Sequence, residues 1–250
     1  MRKRLNEIKL LIFDLDDTLY PEIEYVRSGF KEVSKKIASR TGIGQKKVYS
    51  NLLREFQQDK KSVFDRLLRG LNIYSPELLA ELINIYRYHK PRIKPYNDVK
   101  KTLNILRRRY FLGIVTDGEC FRQLTKIEAL KLAGYFHKII CTGEGPKDYQ
   151  KPSPKPFLDM INYFKVKPSE AAYIADNVKK DFYGPNKLGL LSIRIKRNGL
   201  YENFKSKDKI YLPQLEIKSL SELKELILNK KYKEHDKQKN IFIPSPYGRI

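Results

Sequence analysis

Cysteine is scarce in this chain, with only Cys120 and Cys141. Their separation fits neither a metal knuckle nor a disulfide framework, so the sequence predicts free thiols and a reducing compartment. Histidine is almost as rare. His89, His137 and His235 share no ligand spacing and read as surface or packing residues. Long hydrophobic runs are missing as well. The N-terminal MRKRLNEIKLLIFDLDD has a basic start, but its apolar run stops at Asp14. A secretory core needs roughly 7–15 apolar residues and a membrane span about 20. These absences predict a cytoplasmic protein with no membrane partner. No internal repeat is present. Acidic residues are under-represented, 29 against 51 Lys and Arg, for a net charge of +22. Such a balance suits nucleic acid, a membrane surface or anionic small molecules. The lysines are spread along the whole chain rather than gathered in a block. They read as a solvated surface that would draw a phosphorylated substrate inward.

What is present is a chain of 250 residues, 41% hydrophobic. That is room for one domain with a sizeable insertion, or for two modest domains. Short apolar runs at residues 10–13, 111–115, 138–141, 171–175 and 191–195 read as buried parallel strands. Helical patterns lie between them, at 98–108, 121–132 and 154–164. Strands alternating with helices predict an α/β fold, a Rossmann-like parallel sheet with helices on both faces. Residues 215–217 read as a last strand and 221–228 as a last helix capped by Ser221. From Pro21 to about Arg92 the period is helical throughout. Ile23, Val26, Phe30, Val33 and Ile37 recur at steps of three and four, and three similar faces follow. The expected division is therefore a core of residues 1–20 and 93–228, an inserted all-helical domain at 21–92, and a C-terminal tail at 229–250 that is disordered or docks.

The stretch LLIFDLDDTLY runs four apolar residues into a cluster of carboxylates. In open α/β sheets ligands bind beyond the carboxyl ends of the strands. Asp14, Thr116-Asp117-Gly118 and Asp176 each follow a strand run, and Lys151 lies in the loop after the 138–141 run. All four segments therefore belong at one sheet edge. Asp14 and Asp16 are two apart and share a face in extended chain. Carboxylates so close repel unless a cation sits among them. Oxygen-only ligands suit a hard ion such as Mg²⁺, with Asp176 as a further contributor. Lys151 would neutralise charge there. Thr116, with the backbone of Asp117 and Gly118, would offer donors to phosphate oxygens.

These residues resemble the motifs of the haloacid dehalogenase-like hydrolases. Asp14-Leu15-Asp16-Asp17-Thr18 matches the Asp-x-Asp-x-Thr signature. Thr116, Lys151-Pro152-Ser153-Pro154, and Asp176 with Asp181 match the next three motifs in order. Ala175, where glycine is common, and Asp117, where asparagine is common, depart mildly from the pattern. The Asp117 side chain is expected to point away from the phosphate. The resemblance implies that Asp14 attacks phosphorus and that Asp16 serves as general acid and then base. It implies Mg²⁺ held by Asp14, Asp176 and the Asp16 backbone carbonyl, with Thr116 and Lys151 on the phosphoryl oxygens. Asp181 would orient the metal shell or Lys151. The second aspartate, absent from dehalogenases, favours phosphate chemistry. The expected function is a Mg²⁺-dependent phosphomonoesterase acting on a small phosphorylated metabolite, a sugar phosphate or nucleotide, with the helical insertion as its cap. Tyr25, Lys60, Lys61, Arg66 and Arg69 are polar cap residues that could face the site. The alternatives are an accessory phosphatase domain in a larger biosynthetic assembly and a non-enzymatic nucleic-acid binder. The latter is disfavoured because no basic motif interleaved with aromatics is present. Nothing in the sequence sets the oligomeric state.

Overall fold

The computed structural model describes residues 2–197, 199–200, 206 and 208–228. The segment 229–250, read above as a tail, lies outside the described residues, as does His235. In chain order the elements are α1 (Arg2–Glu7), β1 (Leu10–Phe13), α2 (Glu22–Thr41), α3 (Gln45–Gln58), α4 (Val63–Gly70), α5 (Pro76–Tyr88) and α6 (Val99–Leu106). Then come β2 (Phe111–Thr116), α7 (Cys120–Ala129), β3 (Lys138–Cys141), α8 (Lys155–Tyr163), β4 (Ala171–Ala175), α9 (Tyr183–Leu188), β5 (Leu191–Ile195), β6 (Leu215–Ile217) and α10 (Leu220–Leu228). The chain forms two compact units. One is drawn from Met1–Glu22 and Lys94–Ile250, the other from Ile23–Ile93. Among the described residues no helix is long and apolar enough to cross a membrane.

The first unit is built on a six-stranded sheet in the order β3-β2-β1-β4-β5-β6, parallel throughout. Leu10, Leu11, Ile12 and Phe13 are all fully buried, as a central strand covered on both faces requires. The pleat sends alternate residues to opposite faces. Leu10 and Ile12 join Phe157, Met160 and Ile161 of α8 and Tyr173 of β4 in one core cluster. Phe13 meets Phe136 edge to face at 6.0 Å. Full burial of each such side chain contributes about 1.5–3 kcal/mol. The chain winds from β1 outward through β2 and β3, then returns to β4 on the other flank of β1. That reversal between β1 and β4 opens a crevice at their carboxyl ends, the switch point of a doubly wound sheet. Leu11 pairs with Leu112 on one side and with Ala172 on the other, and this register brings the strand ends level.

The second unit is helical. Val26, Phe30, Val33 and Ile37 of α2 pack with Val48 and Leu52 of α3, Val63, Leu67 and Leu68 of α4, and Leu78 and Leu82 of α5. Phe30 stands edge-on to Phe56 and Phe64, with centroids 5.8 and 5.9 Å away. Ser75 caps α5, its side chain accepting from the Leu78 N–H, and Pro76 follows at the first helical position. Of the five polar residues read as able to face the site, Tyr25, Arg66 and Arg69 have partners within this unit. Tyr25 is buried against Tyr86 and His89 and its hydroxyl reaches the carbonyls of Tyr86 and Arg87. Arg66 pins α4 to α3 through the Glu55 carboxylate at 3.0 Å and the carbonyls of Glu55 and Asp59. Arg69 pairs with Asp65 and lies over the Tyr74 ring. Lys60 and Lys61 are exposed.

One cap is corrected. Ser221 lies inside α10, and Ser219 does the capping, its hydroxyl accepting from the Glu222 N–H at 3.1 Å. The Leu220 N–H is taken by Asp98, which also holds Arg197. A helix needs a partner for its first N–H groups, and here Ser219 and Asp98 supply it before Ser221 is reached.

Candidate active site

β1, β2 and β4 are neighbours, and each ends in a site residue. Asp14 follows β1, Thr116 closes β2 and Asp176 follows β4. The Asp14 N–H donates to the Ile174 carbonyl, which prolongs the β1–β4 ladder and fixes the level of Asp14. Lys151 comes from the loop between β3 and α8. It is 1% exposed at its side chain and donates to Asp14 at 2.7 Å, Asp181 at 2.8 Å and the Tyr173 hydroxyl at 3.1 Å. A buried ammonium is tolerated only with such partners. The two carboxylates hold its pKa well above the usual lysine value although burial opposes them.

One oxygen each from Asp14, Asp176 and Asp181 lies within 4.8 Å of the others. Asp181 is committed on both sides, one oxygen to Lys151 and the other to the Asn177 N–H. Asp176 is buried, and among the described residues its carboxylate has no hydrogen-bond donor. Burial, with Asp181 and Asp14 close by, pushes its pKa well above the usual value. Burial likewise raises Asp14 to about 7 against the pull of Lys151. A buried carboxylate without a donor, facing a second one, is the arrangement that a hard divalent cation stabilises. The donor set therefore fits such an ion.

Asp16 has the opposite environment. Its carboxylate takes Lys126 at 2.8 Å, Gln123 at 3.0 Å and the Tyr20 hydroxyl. Burial pushes it up, but Lys126 and these hydrogen bonds outweigh burial and hold it below the usual value. Its side chain is thus outside the group formed by Asp14, Asp176 and Asp181. Asp17 takes the left-handed conformation, φ 51°, and accepts from the Glu22 and Leu200 N–H groups, a turn role.

Asp117 is among the residues that line the cavity with Asp14 and Asp16. It is neutralised in place, by the Thr142 hydroxyl, the Lys151 N–H at 3.1 Å and Lys180 at 2.6 Å. Burial raises it, yet Lys151 and Lys180 bring it down to about 2. Gly118 sits at φ +116°, and the Gly143 N–H donates to its carbonyl at 3.1 Å. A Cβ on Gly143 would lie 2.3 Å from that carbonyl, so the close approach of the two loops needs a glycine there. Cys120 and Cys141 are free and half-buried, as expected, and burial raises the Cys141 thiol.

Sequence reasoning missed Tyr20, Glu22, Arg122, Gln123, Lys126 and Lys180. All but Tyr20 line the cavity. The available signal was spacing. Gln123 and Lys126 lie three apart in the helix that opens just after the Thr116 segment, and so share one face. Glu22 is the cavity's other titrating acid. Burial, with Asp16 nearby, lifts it to about 8.

A family model described as haloacid dehalogenase-like hydrolase matches residues 11–195. A glyceraldehyde 3-phosphate phosphatase of Methanopyrus kandleri is 31% identical over 229 residues, 88% of this chain and 97% of that protein. One of the same name from Pyrococcus furiosus is 32% identical over 202 residues, 77% of this chain and 82% of its own. The crystal structure of a phosphatase of this superfamily from Thermococcus onnurineus covers 88% of the chain and is itself covered to 98%, with 26% identity and a TM-score of 0.58. The family match takes in the helical insertion, β2 to β5 and every strand end described above, and so the chain belongs to the haloacid dehalogenase-like hydrolases, as an enzyme that hydrolyses phosphate monoesters.

Proposed function

We propose that the chain is a Mg²⁺-dependent phosphatase of small polyhydroxylated phosphates, working through an aspartyl-phosphate on Asp14. The observation that carries the reading is the buried Asp176 carboxylate, without a donor, beside Asp14 at the switch point of the sheet. The relatives named for a three-carbon sugar phosphate support the substrate class. Asp14, Asp176 and the backbone carbonyl of Asp16 would hold the ion. Bound there, it supplies positive charge against the incoming phosphate and polarises the phosphoryl group.

Asp14 attacks phosphorus, and the bond to the leaving oxygen breaks. Asp16 gives that oxygen its proton, then takes one from the water that hydrolyses the intermediate. Lys151 keeps the Asp14 carboxylate in line and offsets charge on the phosphoryl oxygens, while Thr116 and the backbone at Asp117 and Gly118 donate to them. Asp181 anchors Lys151. The helical insertion is the cap that chooses the substrate.

The test is release of inorganic phosphate from a panel of triose and larger sugar phosphates and nucleotides, with Mg²⁺ and with EDTA. We expect metal-dependent turnover strongest on the sugar phosphates. Turnover unchanged by EDTA would remove the metal, and inertness towards the whole panel would remove the phosphatase reading.

A further inference from the structure

We propose that Gln123 and Lys126 are positioning residues that aim Asp16 at the hydrolytic water, an inference that rests on the phosphatase reading above. Three side chains fix the Asp16 carboxylate. Oδ1 accepts from Lys126 Nζ at 2.8 Å and from the Tyr20 hydroxyl, and Oδ2 accepts from Gln123 Nε2 at 3.0 Å. Oδ2 is left with the spare lone pair. Gln123 Nε2 also donates to Thr116 Oγ1, at 2.6 Å. A carboxamide has two N–H groups, one for each acceptor. Because Thr116 Oγ1 accepts from Gln123, its own proton is free for a phosphoryl oxygen. One side chain thus sets the direction of the acid/base group and of a phosphate donor together.

The arrangement follows from local sequence. α7 starts four residues after Thr116, and its Gln123 and Lys126 face the cavity together. Both are nearly fully buried, at 2% and 6% exposure. Burying a glutamine and a lysine beside a carboxylate is costly unless each meets a partner, and Asp16 is the partner both share.

The step they serve balances simply. Asp16 accepts a proton from water, and the water oxygen bonds to phosphorus. The bond between phosphorus and Asp14 breaks, Asp14 keeps the electron pair as a carboxylate, and inorganic phosphate leaves. A misplaced base costs about 10²-fold for an error on the order of 1 Å.

The experiment is pre-steady-state turnover of p-nitrophenyl phosphate with Mg²⁺. p-Nitrophenolate leaves without a proton, so its burst reports attack by Asp14, and the later phase reports hydrolysis. Gln123→Leu and Lys126→Met should keep a burst approaching one equivalent while the later phase slows about 10–100-fold. Gln123→Glu keeps the shape, loses the donor and sets a like charge against Asp16, so it should fall at least as far as Gln123→Leu. Lys126→Arg should recover part of the loss. Beryllofluoride should still bind at Asp14 in all of them, weakened at most modestly in the Gln123 variants through Thr116, which separates mispositioning from misfolding. A later phase at the wild-type rate, or Gln123→Glu matching wild type, would overturn the proposal. So would equal loss of burst and later phase with beryllofluoride binding intact. The two Gln123 variants decide the matter if Lys126→Met does not fold. Wild-type protein inert on this substrate would instead overturn the phosphatase reading.

Discussion

At the residue scale, Asp14 and Asp16 are chemically alike and differently surrounded. Asp14 faces Lys151 inside a buried group of acids, and Asp16 is gripped by Lys126, Gln123 and Tyr20. Asp14→Asn is nearly isosteric and should abolish turnover with the thermal transition retained. Substantial residual turnover in that variant would exclude the aspartyl-phosphate. Asp16→Ala should act differently on different leaving groups, because assistance by a general acid is worth about 10²–10⁴-fold and a good leaving group does not need it. The first step should therefore suffer far more with an alkyl phosphate than with p-nitrophenyl phosphate, which rapid-quench measurement of each would show. Equal damage to both would make Asp16 structural. The carboxylates were legible because like charges at strand ends demand a counter-charge. Gln123 and Lys126 were not, because a long polar side chain on an amphipathic helix reads as solvated surface until the fold buries it. The partner that neutralises Asp117 was hidden for a related reason, since Lys180 is remote in sequence.

At the element scale, the strands were the most legible part. Short apolar runs in a parallel sheet are used for burial on both faces, and Leu10–Phe13, Ala171–Ala175 and Leu191–Ile195 are buried as read, whereas Lys138–Cys141, also read as buried, lies at the sheet edge and is only half-buried. Helix ends were harder, because they depend on side chains that satisfy free N–H groups and several nearby serines can serve. α10 is the example. Ser219→Ala should cost about 1 kcal/mol of stability, the usual value of an N-cap, whereas Ser221→Ala, inside the helix, should stay within about 0.5 kcal/mol of wild type. Paired denaturant titrations of the two variants measure the difference, and a larger loss at Ser221 would return the cap to that residue. The polar residues of the helical unit were also illegible, since hydrogen bonds such as those of Arg66 to Glu55 and Asp59 are set by how α3 meets α4 and leave no periodic trace. In the core of that unit, Phe30→Ala removes a ring packed against Phe56 and Phe64. It should cost about 3–5 kcal/mol, read from the same titrations.

At the scale of the whole molecule, the chain carries a net charge of +22, yet the described cavity is lined by six acids, namely Asp14, Asp16, Asp17, Glu22, Asp117 and Asp176. The surface draws anions in, and the cavity needs cations to receive them. The acids divide into two sets. Asp14 is raised to about 7, Glu22 to about 8 and Asp176 well above the ordinary value, all by burial first. Asp16 is lowered, and Asp117 to about 2, because Lys126 at the first and Lys151 with Lys180 at the second outweigh burial. In the raised set the folded state binds more protons than the unfolded chain between about pH 4, where free carboxyls titrate, and pH 7–8. Stability from that set is therefore full below about pH 4 and falls as pH rises towards 8. The lowered set acts in the opposite sense but below about pH 4, outside this window. A divalent ion must displace the protons of Asp14 and Asp176 to bind, so its hold strengthens as pH rises. Metal-free protein should thus lose thermal stability between pH 5 and pH 8. The rise in Tm on adding a fixed Mg²⁺ concentration should grow across the same interval, with protons released on binding. Scanning calorimetry with and without Mg²⁺ at each pH separates this from any global effect of charge, which is common to both samples. A Mg²⁺-induced shift that stays constant from pH 5 to pH 8 would mean that the buried carboxylates are not where the ion binds.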